Sequence, residues 1–172
     1  PEDEIHVSDQ LWVSRAALKL EGALDQSATI IPPRVLDAGA STGGFTQVCL
    51  DRGAERVYAV DVGHDQFAAE LRHDARVKLY EGLNLRDLTP AHVDDCPVDM
   101  VVADVSFISL TLILEPMLGV LRSDGFALLL VKPQFEVGRA HLGAGGVVAD
   151  EAARIAAVAR VVEHAADLGW QC

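Results

Sequence analysis

The chain has 172 residues, half of them apolar, and a formal net charge of −12. That length suffices for one domain with a real core, the apolar content excludes disorder as its class, and the longest apolar run, Phe126 to Val131, is far too short to span a bilayer. Such an acidic balance is awkward for a nucleic-acid enzyme, whose surface is ordinarily basic, although it does not exclude a local basic cleft.

Residues 1–12 show no hydrophobic period and carry Glu2, Asp3, Glu4 and Asp9, so they read as an arm or interdomain linker ahead of a domain over 13–172. Ser14 reads as a helix N-cap. Val13, Ala17, Leu20 and Leu24 then recur at helical spacing and define a buried stripe. Lys19 sits between two of these positions, where a lysine ordinarily snorkels at the stripe edge.

After Ile31-Pro32-Pro33, strands and helices alternate. The strand Arg34 to Ala38 is apolar enough for a parallel sheet covered on both faces. It runs into Asp37-Ala38-Gly39-Ala40-Ser41-Thr42-Gly43-Gly44-Phe45, a small-residue loop whose glycines allow a tight turn and close approach to a ligand. A helix from about Gly43 to Arg52 follows, with Gly53 as its stop. The next strand, Arg56 to Val62, carries Asp61 near its carboxyl end. That is roughly 20 residues after the loop, where nucleotide-binding folds place the acid that holds a ribose. A dinucleotide site wants Gly-x-Gly-x-x-Gly, but here the spaced residues are Gly39, Ser41 and Gly44, and a Cβ at Ser41 argues against a close pyrophosphate. The phosphate-loop lysine is also absent. A ligand with adenosine and no phosphates fits better, and S-adenosylmethionine is the common one. Asp37, Gly39, Ser41, Thr42, Gly43, Gly44, Phe45, Asp61 and Val62 are its candidate contacts.

A helix is expected near Gln66 to His73, then the strand Val77 to Glu81, ending at Gly82-Leu83-Asn84. Asn84 lies where it could hydrogen-bond an adenine edge, or it is a turn asparagine. Thr89-Pro90-Ala91 starts a short helix. Val98 to Ala103 is a buried strand that stops at Asp104, and a helix follows from Ser109 to Leu121. Gly125 opens the strand Phe126 to Val131, which ends at Lys132-Pro133. Gln134 to Gly146 reads as a long glycine-rich loop, and Asp150 to Leu168 as the last helix, stopped by Gly169. Trp170-Gln171-Cys172 looks like a new strand starting. Five strands alternating with helices predict an α/β fold, a Rossmann-like, doubly wound, mainly parallel sheet. An apolar strand at its edge leads to the expectation that the sheet lacks its last strands here.

Asp104 and Lys132 both end apolar strands at the carboxyl side, where open α/β sheets bind ligands. Methyl transfer from a sulfonium to a ribose hydroxyl needs a group that takes the proton or steadies the oxyanion, and a lysine can do either. Asp104 could orient that lysine or the methyl group, which makes it a candidate cofactor contact as well, and Lys19 could supply a second cation. Arg15, Lys19, Lys132 and Arg139 lie near the proposed loops and suit a nucleic-acid backbone. Base-nitrogen methyltransferases often carry prolines after the acid. Asp104-Val105-Ser106-Phe107 has none, although Phe107 could stack on a base. Cys49, Cys96 and Cys172 have no paired or metal-ligand spacing and read as free thiols of a reducing, cytoplasmic compartment. The six histidines suggest no metal site.

Four stretches in order resemble the TlyA family: Trp12 to Leu20, Asp37 to Thr46, Ala103 to Leu110, and Val131 to Gly138, with Gly143 to Val148 extending the match. These are FtsJ-like ribosomal RNA methyltransferases historically labelled haemolysins. The resemblance implies 2′-O-methylation of cytidine in ribosomal RNA or ribosomal subunits, with S-adenosylmethionine as methyl donor and neither membrane nor metal involved. It also implies a Lys-Asp-Lys-Glu tetrad whose first three members fall on Lys19, Asp104 and Lys132, which displaces the snorkelling reading of Lys19. The glutamate has no match in this sequence, nor does the family's small amino-terminal RNA-binding domain, and Ala16 stands where the family usually has Gly. The expectation is a catalytic domain truncated at both ends, of reduced or no activity alone. The competing readings are a small-molecule O-methyltransferase, a membrane-active haemolysin-like protein, and a cofactor-binding module without chemistry.

Overall fold

The computed structural model describes residues 12–138 and 143–172. The acidic arm through residue 11 and Arg139 lie outside the described residues. Five parallel strands form one sheet: β1 Arg34–Ala38, β2 Arg56–Asp61, β3 Val77–Glu81, β4 Val98–Ala103 and β5 Leu121–Leu129, in the order β3-β2-β1-β4-β5. This is the doubly wound arrangement that the alternating pattern predicted. The order reverses between β1 and β4, so the loops leaving those two strands diverge and open a crevice at their carboxyl ends.

Successive strand residues point to opposite faces, and both faces are apolar. Val35, Val57, Ala59, Met100 and Val102 pack against α1 (Ala17–Ser27) and α2 (Gly44–Asp51). Leu36, Tyr58, Val60, Val101 and Ala103 pack against α4 (Leu114–Gly119) and α6 (Glu151–Asp167). Each fully buried large side chain is worth about 1.5–3 kcal/mol, so this two-faced patterning fixes the sheet between its helix layers. Among the described residues, no helix is long and apolar enough to cross a membrane.

Several boundaries depart from expectation. The helix expected over Ser109 to Leu121 splits into a 3-10 turn, Leu110–Leu112, and α4. Pro116 has no N–H and its ring would strike the carbonyl one turn back, so a continuous helix cannot pass it; the break falls at Ile113, φ −129°. The helix near Gln66 shrinks to α3, Ala69–Arg72. Ala68 stays extended, with its N–H bonded to the Thr42 carbonyl at 3.1 Å, so the preceding residues pack under the β1 loop instead. β5 begins early, with Leu121 opposite Val98 and Phe126 opposite Met100, and Arg122–Gly125 bulging between them. Gly125 is required there, because a Cβ would lie 2.8 Å from the Asp99 carbonyl oxygen. The expected loop from Gln134 opens instead with a one-turn helix, α5 (Pro133–Glu136), with proline at its first position. Ser14 does not cap α1. Its hydroxyl accepts the Ala16 N–H in the turn before the helix, and Ala16 holds the N-cap position. Trp170–Cys172 is not in a strand; the Trp170 N–H bonds to the Ala165 carbonyl and closes α6.

Candidate active site

The loop after β1 is the floor of the crevice. Gly39 adopts φ +84°, and a Cβ there would lie 3.0 Å from Val105, so only glycine lets the loops after β1 and β4 meet this closely. Ser41 is left-handed at φ +49°, an uncommon conformation for a residue with a Cβ. The Asp61 carboxylate holds it there. Oδ2 accepts the Ser41 N–H at 2.8 Å, and Oδ1 accepts the Gly63 N–H at 2.7 Å. The acid at the end of β2 therefore ties the first loop to the second strand.

Two cavities flank this floor. The larger, about 490 Å³, lies over the carboxyl ends of the strands, with Val62, Leu83 and Ile108 as apolar walls and Asp61, Asn84 and Asp104 as polar points. Its lining includes two carboxylates and no lysine or arginine. A phosphate would be repelled there, whereas a cationic or neutral nucleoside would not. Asn84 also serves its turn, its side chain accepting the Arg86 N–H at 3.0 Å. The smaller cavity, about 260 Å³, is lined by Ser14, Lys19, Thr42 and Lys132 and shares Gly39, Ser41, Asp104 and Ser106 with the first.

Asp104 stands at the junction. Its Oδ2 accepts from Lys19 Nζ at 2.8 Å, across 85 residues of sequence. Lys132 Nζ lies 2.6 Å from Oδ1. That oxygen is buried against the Lys132 ammonium, which also donates to Ser106 Oγ at 2.7 Å. Burial alone would raise the Asp104 pKa, but the Lys132 and Lys19 ammonium groups outweigh it and hold the carboxyl below its ordinary value. Lys19 is half exposed, while Lys132 is 17% exposed. Two cations on one carboxylate leave a net positive charge at the smaller cavity. Phe107, 93% exposed and at φ +66°, lines the larger cavity, with its ring 5.3 Å from that of Phe135.

Most of the sequence-nominated residues converge here. Gly39, Ser41, Asp61, Val62, Asn84 and Asp104 line the larger cavity; Lys19, Thr42, Gly44, Phe45 and Lys132 line the smaller. Asp37 and Gly43 line neither. Asp37 is fully buried on the α2 side of the sheet, where its Oδ2 accepts from Thr46 Oγ1 at 2.7 Å, and burial pushes its carboxyl pKa up to about 7. Gly43 turns its α-carbon towards Leu71 and Phe67, where a Cβ would lie 2.6 and 3.0 Å from their side chains. The structure adds Ser106, Leu83 and Ile108. Ser106 lies two residues after Asp104, a spacing visible in the sequence, but its partner Lys132 is 26 residues away.

The family model for FtsJ-like methyltransferases matches residues 12–172. The Mycobacterium tuberculosis protein described as 16S/23S rRNA (cytidine-2′-O)-methyltransferase TlyA is 51% identical over 164 residues, 95% of this chain and 61% of that protein. Hemolysin A of Brachyspira hyodysenteriae is 38% identical over 171 residues, 98% of this chain and 71% of that protein. A crystal structure described as that of a hemolysin from Lactococcus lactis superposes with a TM-score of 0.87 at 42% identity, over 92% of this chain and 76% of that one. The chain spans 61% of the length of the M. tuberculosis relative.

Proposed function

The chain belongs to the FtsJ-like methyltransferase family, and from that premise we propose that it forms the catalytic domain of an S-adenosylmethionine-dependent enzyme that methylates the ribose 2′-hydroxyl of ribosomal RNA, with cytidine as the acceptor. The observation that carries this reading is the placement of the Lys19–Asp104–Lys132 cluster between a carboxylate-lined cavity and a lysine-lined one.

The larger cavity suits the cofactor by volume and by charge. S-adenosylmethionine, when bound, supplies a methyl group activated on a cationic sulfonium. Asp61 spends one acceptor site of each oxygen on the loop, and each carboxylate oxygen retains a further site for a ribose hydroxyl. Val62, Leu83 and Ile108 offer apolar surfaces for a planar base, and Asn84 a polar edge. Asp104 faces both cavities and supplies negative charge near a sulfonium.

The smaller cavity suits the acceptor. A ribose hydroxyl must shed its proton as the new O–C bond forms. Lys132 Nζ steadies the developing oxyanion with its ammonium charge, and would take that proton only as the neutral amine. Ser106 and Asp104 fix its position, and Lys19 adds positive charge on the same side. The net positive charge of the cluster favours an acceptor that carries phosphates. M. tuberculosis TlyA, described as acting on 16S and 23S rRNA cytidine, gives the substrate class.

The test is transfer of labelled methyl to ribosomal subunits, followed by digestion to nucleosides. It compares the chain alone with a form extended to the length of the M. tuberculosis relative. A 2′-O-methylcytidine product that disappears in Lys132→Ala supports the reading. A base-methylated product, or no loss in Lys132→Ala, overturns it.

A further inference from the structure

We infer that Glu136 is a positioning residue that clamps the loop carrying Asp104 to the segment carrying Lys132; its consequence for turnover rests on the proposed roles of that pair. Glu136 falls within the stretch Val131 to Gly138 but lines neither cavity, and no role has been given to it.

The two segments face each other through three contacts in order. Lys132 meets Asp104 and Ser106. Phe135 meets Phe107. Glu136 meets Ser109 and Leu110, its Oε2 accepting the Ser109 hydroxyl at 2.5 Å and its Oε1 the Leu110 N–H at 2.8 Å. The first two contacts lie at the mouth of the site, and Phe107 is almost wholly exposed. Only the third is buried, with Glu136 at 5% exposure. No cation among the described residues forms an ion pair with this carboxylate; Arg160 of α6 donates instead to the Glu136 carbonyl oxygen, at 2.5 Å.

A buried carboxylate costs stability unless it is well hydrogen-bonded. The ordinary explanation, that Glu136 merely caps the Leu110–Leu112 turn, is weakened because Ser109 already does so: its hydroxyl accepts the Thr111 N–H at 3.2 Å. What Glu136 adds is tertiary. It sets where α5 lies against the loop after β4. Lys132 holds the N-cap position of that single helical turn, and Pro133 stiffens the link between them. A displacement at Glu136 therefore reaches the lysine rather than dissipating in a flexible chain.

The test uses Glu136→Ala, Glu136→Gln and Ser109→Ala. The first readout is independent of turnover: competitive amine labelling of Lys132 across pH, quantified by mass spectrometry against Lys78 as internal reference. The second is methyl transfer, resolved into kcat and the KM for S-adenosylmethionine, in the form shown to be active. Circular dichroism melting establishes that each variant is folded. In Glu136→Ala, Lys132 labelling rises several-fold, kcat falls about 10- to 100-fold, as misplacements of about 1 Å do, and the cofactor KM stays within about threefold. Glu136→Gln keeps a carbonyl oxygen for Leu110 and restores most of both readouts, and Ser109→Ala falls between. A folded Glu136→Ala with unchanged Lys132 labelling overturns the inference, as does equal loss in the glutamine and alanine variants. If Glu136→Ala does not fold, unchanged labelling in Ser109→Ala overturns it. If the wild-type chain methylates nothing, the labelling result still decides the clamp, while the enzymatic reading fails separately.

Discussion

Asp37 makes a test that needs no substrate. Its carboxyl is fully buried beneath the cofactor loop, with one oxygen bonded to Thr46 and the other unpartnered. Burial raises its pKa from 3.8 to about 7; hydrogen bonds from Thr46 offset only part of that, and the charges of Asp61 and Asp104 add to it. Between those two pH values the folded chain holds a proton that the unfolded chain has released. Stability from this group is thus fully present below the unfolded pKa and is lost as pH rises through the folded one. Three pKa units at about 1.4 kcal/mol each make roughly 4 kcal/mol in all, of which about 2–3 kcal/mol falls between pH 5 and pH 8. Asn resembles the protonated acid in shape and cannot ionise. Asp37→Asn should exceed the wild type by about 1.5 kcal/mol at pH 5 and by about 4 kcal/mol at pH 8, so that the gap between their urea midpoints widens by about 1–2 M between the two pH values. Urea unfolding of both proteins at the two pH values measures this difference of differences, and groups common to both cancel. The reasoning is refuted if the two proteins lose the same stability between pH 5 and pH 8, for then Asp37 ionises freely in the folded chain.

Lys132→Ala should abolish methyl transfer while cofactor affinity, read by calorimetry, stays within about threefold, since Lys132 lines only the smaller cavity; full turnover would remove it from the chemistry. Asp61→Ala should weaken cofactor binding by roughly 1–3 kcal/mol, the cost of leaving buried donors unpaired. Asp61→Asn, which can still accept from the Ser41 N–H, should lose less; equal losses would mean that the carboxylate charge and not the loop tie governs. Gly43→Ala should destabilise by more than 1 kcal/mol, because φ +96° and the clash with Leu71 act together; an unchanged thermal midpoint would show that the loop relaxes freely.

The strands were legible because each is a short apolar run between breakers, and four of the five begin where the pattern put them. Parallel pairing then does much of the functional inference. It gathers every strand's carboxyl end on one edge, so Gly39, Asp61, Asn84 and Asp104, far apart in sequence, were bound to be neighbours. Lys19 was harder. Within its own helix it sits beside a buried stripe, and nothing local distinguishes a snorkelling lysine from one reaching Asp104 across 85 residues. Asp37 misled for the opposite reason. It stands in the loop motif, but strand alternation turns its side chain to the α2 face, away from the cavity. Glu136 lies in a stretch the sequence singled out, but its burial was not legible, since a glutamate beside a glycine-rich loop looks solvated until the 3-10 turn at Leu110 comes to meet it.

The same distance problem resolves the charge puzzle. A net charge of −12 counts every carboxylate as though it faced a partner, yet several described cations are spent against carboxylates elsewhere. Arg52 pairs with Glu21 and Asp25, Arg72 with Glu81, Arg76 with Asp74, and Arg122 with Asp99 and Asp124. At the smaller cavity the ratio inverts: Lys19 and Lys132 share one carboxylate. Arg15, exposed and without an ion-pair partner among the described residues, stands one helical turn before Lys19. Within about one Debye length, roughly 8–10 Å, that local excess outweighs the distant acid, which salt screens. An acidic chain thus gathers Arg15, Lys19 and Lys132 around the one carboxylate of Asp104, a local excess of positive charge that suits the phosphate-bearing acceptor proposed above.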